Sequence, residues 1–207
     1  MSLLIAVLLE AAAVTAGAHL QLSRLCLLTV TRTIQLLALA GLAVGRTGGL
    51  HLLGLGKSSL VPGIRQGLIW SAGFAVAAGM LFLGLWLAGL NPLLLVRSPL
   101  PTDLYQRILF FGLGGIVAPV FEEVIFRGLI FGYLRRWNVP AAVLISTALF
   151  AIFHLPTLPV TQIVGGVVFA IAYQMGGSLM APIVIHMLGN LAIFTLSLPW
   201  LQFIFAP

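Results

Sequence analysis

The chain has 207 residues, of which 61% are hydrophobic and only 7% charged, against about 25% charged in a soluble globular domain. That composition excludes a soluble enzyme and predicts an all-α, polytopic bundle of helices in a lipid bilayer. The formal charge of +6 is spread over ten scattered basic residues, which excludes a nucleic-acid binder and reads as topology signals and headgroup contacts. Cys26 is the single cysteine, so no intrachain disulfide can form.

Residues 2–20 read as the first span rather than a signal peptide, because no basic leader or small-residue cleavage site accompanies them. Glu10 interrupts that run, and Arg32, inside a second span over 25–44, is the charge that could neutralise it. Gly41, Gly45 and Gly49 recur every four residues, a spacing that permits close helix packing. Residues 46–65 carry Arg46, His51, Lys57, Pro62 and Arg65 and read as an interfacial loop, with His51 at the surface. A third span over 67–90 is ended by Asn91-Pro92.

After a Pro-containing loop, Thr102 or Asp103 can cap a helix over 104–134. Such a helix is longer than the roughly 30 Å hydrocarbon layer requires. It must tilt, or kink or break at Pro119, which should free a carbonyl near Gly115. Arg135-Arg136 ends it, and Asn138 to Pro140 turns the chain. Spans over 141–154, 161–174 and, capped by Ser178, to about 203 complete an expected count of seven. With seven spans Arg46, Lys57, Arg65, Arg135 and Arg136 share the side of the N-terminus, which the positive-inside rule places in the cytoplasm.

Only four acidic residues occur, and two are adjacent within the apolar stretch from Pro119 to Arg127. A carboxylate at bilayer depth costs roughly 2.5–3.5 kcal/mol on insertion scales unless paired or wetted, so Glu122 and Glu123 mark a candidate site. Three pairs recur at a spacing of four: Glu123 with Arg127, Phe150 with His154, and His186 with Asn190. Counted from the expected helix ends, Glu122 and His154 each lie about 20 Å deep and His186 about 12 Å. Three separate helices thus bring polar side chains to similar depth. A glutamate there can act as general base toward water, with one histidine sharing its proton. The second histidine and Asn190 can donate to an oxyanion, while Arg127 keeps Glu123 ionised. Glu122, Glu123, His154 and His186 could equally hold zinc, as two imidazole nitrogens, a carboxylate oxygen and a water. No H-E-x-x-H and no serine nucleophile motif occurs, so residue types alone leave both routes open.

Taken together, Glu122-Glu123-x-x-x-Arg127, Phe150-x-x-x-His154 and His186-x-x-x-Asn190 resemble the three signature motifs of the CAAX-protease and bacteriocin-processing family of intramembrane proteases. That family includes the prenyl-protein endopeptidase branch. The resemblance covers about 104–194. It implies a protease core in 104–207 behind N-terminal helices in 1–103, in a bacterial or archaeal cytoplasmic membrane. It implies that Glu122 activates water, His154 assists, His186 and Asn190 form the oxyanion-stabilising side, and Glu123 with Arg127 supports the site. It favours a metal-free mechanism acting on a peptide or membrane-anchored protein. Competing readings are a zinc-dependent metalloprotease using the same residues and a non-catalytic bacteriocin immunity or binding protein. A small transporter using Glu10, Glu122 and Glu123 is a third, but no inverted repeat supports it.

Overall fold

A computed structural model describes residues 23–47, 51, 54–155 and 160–204. All their regular elements are helical: α1 Arg24–Thr47, α2 Lys57–Leu87, a 3-10 turn Pro92–Leu95, α3 Leu104–Leu134, α4 Val139–Ile152, α5 Val160–Gly176, α6 Met180–Leu196 and α7 Pro199–Ile204. The first expected span and Glu10 lie outside the described residues.

The expectation of seven spans is met only in part. Among the described residues three helices are long and apolar enough to cross a membrane: Leu25–Leu42 within α1, then α2 and α3. Helices α4, α5 and α6 are shorter apolar helices of 14, 17 and 17 residues, at or under the lower end of the roughly 17–25 that span a hydrocarbon layer. Their ends explain their length. The chain turns at Phe153 to Leu155 after α4, and Gly177 leaves α5 with φ +64°. The last helix also stops at Leu196 and resumes only as the six-residue α7, not as one helix to 203.

Helix α2 starts ten residues before the expected third span, inside the stretch read as an interfacial loop. Pro62 is accommodated because it lies near the helix start, where only the bond back to the Ser58 carbonyl is lost. The other end closes in a Schellman turn: Gly89 takes φ +76°, with Leu90 N bonding Leu85 O and Gly89 N bonding Trp86 O at 2.9 Å each.

Two glycines set the seat of α2 on α6. A Cβ at Gly67 would stand 2.7 Å from Val184 Cβ and 2.9 Å from the Ala181 carbonyl oxygen, and one at Gly63 would strike Ser178 and Met180. Ser178, expected as a helix cap, accepts from Met180 N at 3.3 Å. Its hydroxyl also reaches the carbonyls of Gly54 at 3.0 Å and Ser59 at 2.9 Å, clasping the start of α2 to the start of α6. The core lies beyond this clasp. Phe126 and Phe131 of α3, Phe150 of α4, Phe169 and Tyr173 of α5, and Ile183 and Ile185 of α6 are all buried in it.

Candidate active site

Helix α3 carries the carboxylates and is the least regular helix of the fold. Asp103 caps it, accepting from Gln106 N at 2.8 Å. From Leu113 to Val117 and again from Val124 to Phe131 its bonds widen to the i→i−5 pattern of a π-helix. Ala118 N, for example, reaches back to Leu113 O. Pro119 follows the first wide turn at once. Isolated π turns are frequent where a helix must re-aim side chains at a site. The expected disturbance at Pro119 is therefore an added residue rather than a break.

Glu123 and Arg127 form the buried end of the constellation. Both side chains have no exposed surface, and Arg127 Nη1 donates to Glu123 Oε1 at 3.1 Å. Arg127 Nη2 donates to the Gly166 carbonyl at 3.3 Å. Its guanidinium carbon lies 4.6 Å from the Phe150 ring centre and 5.0 Å from that of Phe169, in the range of cation–π attraction. Gly166 also lets α4 press closely on α5, since a Cβ there would meet Thr147 Cγ2 at 2.8 Å.

His186 bridges the two glutamates. Its Nδ1 lies 2.8 Å from Glu123 Oε1 and its Nε2 3.7 Å from Glu122 Oε2. Phe169 stacks on the imidazole at 4.7 Å and 20°, and Phe150 meets it edge-on at 5.6 Å. His154, at the turn after α4, is fixed differently: its Nδ1 lies 2.8 Å from the Phe150 carbonyl oxygen and its Nε2 4.0 Å from Glu122 Oε2. A carbonyl only accepts, so Nδ1 of His154 carries its proton, and the Glu123 carboxylate assigns the same tautomer to His186. In their neutral forms both rings turn an Nε2 lone pair toward Glu122. Three acceptors then face one space, an arrangement suited to a ligand that donates protons, such as water.

The structure thus brings Glu122, Glu123, Arg127, His154 and His186 together. Asn190 lies one turn beyond His186, and its Nδ2 donates to the Gly114 carbonyl at 2.8 Å. Phe169 and Gly166 escaped the sequence reading. Both sit in an almost wholly apolar helix, where no polar spacing marks one face.

Zinc fits these positions poorly. A tetrahedral site with bonds of about 2.0–2.1 Å needs ligand atoms about 3.3 Å apart. The Glu122 oxygen stands 3.7 and 4.0 Å from the two imidazole nitrogens, and Glu123 Oε1 is already taken by Arg127 and His186. Among the described residues no three His, Cys, Asp or Glu side chains converge as metal ligands.

Arg32, expected opposite Glu10, donates to Gln35 Oε1 at 2.6 Å and lies 4.9 Å from the Phe121 ring centre, next to the glutamates in sequence. No curated protein and no solved structure matches the chain. Residues 104–192, the C-terminal core holding all three motifs, match the family described as Type II CAAX prenyl endopeptidase Rce1-like.

Proposed function

With that family as premise, we propose that the protein is an intramembrane endopeptidase in which Glu122 activates water against a peptide carbonyl. The observation that carries this reading is the convergence of Glu122 Oε2 with the Nε2 atoms of His154 and His186, from three helices, at 4.0 and 3.7 Å. Water attacks the carbonyl carbon as its proton passes to Glu122. His154 orients that water through Nε2. The resulting oxyanion is stabilised on the His186 side, where the Glu123 carboxylate fixes the ring through Nδ1. Glu122 then returns its proton to the amide nitrogen. The C–N bond breaks, and a carboxylic acid and an amine leave. Arg127 offsets the charge of Glu123 and fixes its rotamer. The long apolar helices support an integral membrane protein with its hydrolytic machinery in 104–207, cutting a membrane-anchored or lipid-modified peptide.

The test uses the purified protein in lipid nanodiscs with prenylated and unmodified C-terminal peptides. Glu122→Gln is expected to lower kcat by about 100- to 10,000-fold, the range for loss of a general base, and His154→Ala by a smaller factor. Full cleavage by both variants overturns the reading, and unchanged partner protection by Glu122→Gln would favour a non-catalytic immunity protein. The zinc alternative has its own check. Overnight chelation is expected to leave kcat within twofold, with less than one-tenth equivalent of zinc by elemental analysis. Loss of activity restored by zinc would overturn the metal-free route.

A further inference from the structure

The sequence resemblance would put Asn190 beside the substrate oxyanion, yet its amide is bonded to the backbone of another helix, and the identity of that carbonyl is informative. In the wide turn of α3, Ala118 N bonds Leu113 O. The next donor in the same i→i−5 pattern, for Gly114 O, would be the nitrogen of residue 119. That residue is Pro119 and has no N–H. Gly114 O is therefore the acceptor that the π turn and the proline together leave without a helical donor, and Asn190 Nδ2 fills it at 2.8 Å. Had α3 stayed in the ordinary i→i−4 register, Ala118 N would have served Gly114 O, and Gly115 O would have been orphaned instead.

We propose that Asn190 is a positioning residue that selects the wide register of α3 and so aims Glu122 and Glu123 at the two histidines. One residue of helix is about 100° of rotation. Closing the π turn would swing both carboxylates about a quarter turn away from His154 and His186. The contact surface agrees with this role. Gly114 and Gly115 are where α6 presses on α3: a Cβ at Gly115 would stand 2.5 Å from Leu191 Cδ2, and one at Gly114 3.0 Å from Phe194 Cζ. Asn190 sits beside Leu191 on that same stretch and is placed to read the register directly. The inference rests on the endopeptidase reading only for its effect on kcat.

The test joins a thermal cycle to a spectrum of the substrate-free protein. Asn190→Ala is expected to lower the unfolding midpoint clearly in the parent background. In a Pro119→Ala background, where residue 119 regains an N–H for Gly114 O, the same change is expected to lower it by less than half as much. With four histidines in the chain, 15N-histidine NMR can follow the His186 Nδ1–H bond to Glu123. Asn190→Ala is expected to abolish that resonance and to reduce kcat at least tenfold with KM within threefold. An intact His186 resonance in Asn190→Ala overturns the inference, because Asn190 would then act on substrate directly. Equal midpoint losses in both backgrounds overturn it as well. If Asn190→Ala alone fails to fold, recovery of folded protein in the Pro119→Ala double variant supports it, and equal failure of both overturns it. Activity retained by Glu122→Gln would instead remove the hydrolase reading, while the midpoints and the resonance still decide the role of Asn190.

Discussion

His186 is gripped from several sides: Glu123 holds its Nδ1, Phe169 covers one face, and Phe150 touches its edge. Everything behind it is charged yet sealed, because Glu123 and Arg127 have no exposed surface. Removing one member of a sealed ion pair leaves a bare buried charge, at about 3–5 kcal/mol. Arg127→Met is expected to destabilise the protein by that amount in reversible unfolding in detergent. Adding Glu123→Leu should restore most of the stability but not the activity, since His186 then lacks its carboxylate. Arg127→Lys should rescue little, because a lysine cannot bond Gly166 O and lie over Phe150 and Phe169 while also reaching Glu123. The Glu123–Arg127 pair was legible in the sequence because a spacing of four puts both on one helix face. The aromatic seat was not: in an almost wholly apolar helix, Phe169 differs from Val167 or Val168 only in shape.

At the level of elements, small residues decide which helices touch. Gly41, part of the expected packing stripe, has nothing within 4 Å of an added Cβ, whereas Gly63 and Gly67 are filled by α6. The same spacing of four occurs in both runs, and only the partner tells them apart. Gly67→Ala is expected to lose about 1–3 kcal/mol by overpacking, because its Cβ would press on the Ala181 backbone. Gly73→Ala and Gly79→Ala, with open space around them, are expected to gain about 0.5–1 kcal/mol from helix propensity. Unfolding of the three variants in one detergent separates these outcomes. The limits of α3 were readable from Asp103 and Arg135-Arg136, and Pro119 announced a disturbance. Its form was not readable, because choosing between a kink and an inserted residue depends on α6. The orphaned carbonyl accordingly moved from the neighbourhood of Gly115 to Gly114.

Across the whole molecule, one long helix faces outward almost throughout. Val76, Met80, Leu83 and Leu87 of α2 are all more than half exposed, as lipid-facing residues would be. Val76→Arg, near the middle of that helix, is expected to reduce membrane-integrated protein, since an arginine at mid-depth costs about 2.5–3.5 kcal/mol on insertion scales. Carbonate extraction followed by quantitation measures it. Composition alone announced this membrane character, whereas the number of spans was not legible. Hydropathy does not fix where a helix ends, and turns such as that at Gly177 set the lengths of the later helices. The assembled core has one further property. His154 is 29% exposed and Glu122 22%, while His186 is only 6% exposed, so the carboxylate has an open flank and a walled one. An imidazole-acylating reagent such as diethyl pyrocarbonate should therefore tag His154 well before His186, and peptide mapping over time would display that one-sidedness as an order of modification.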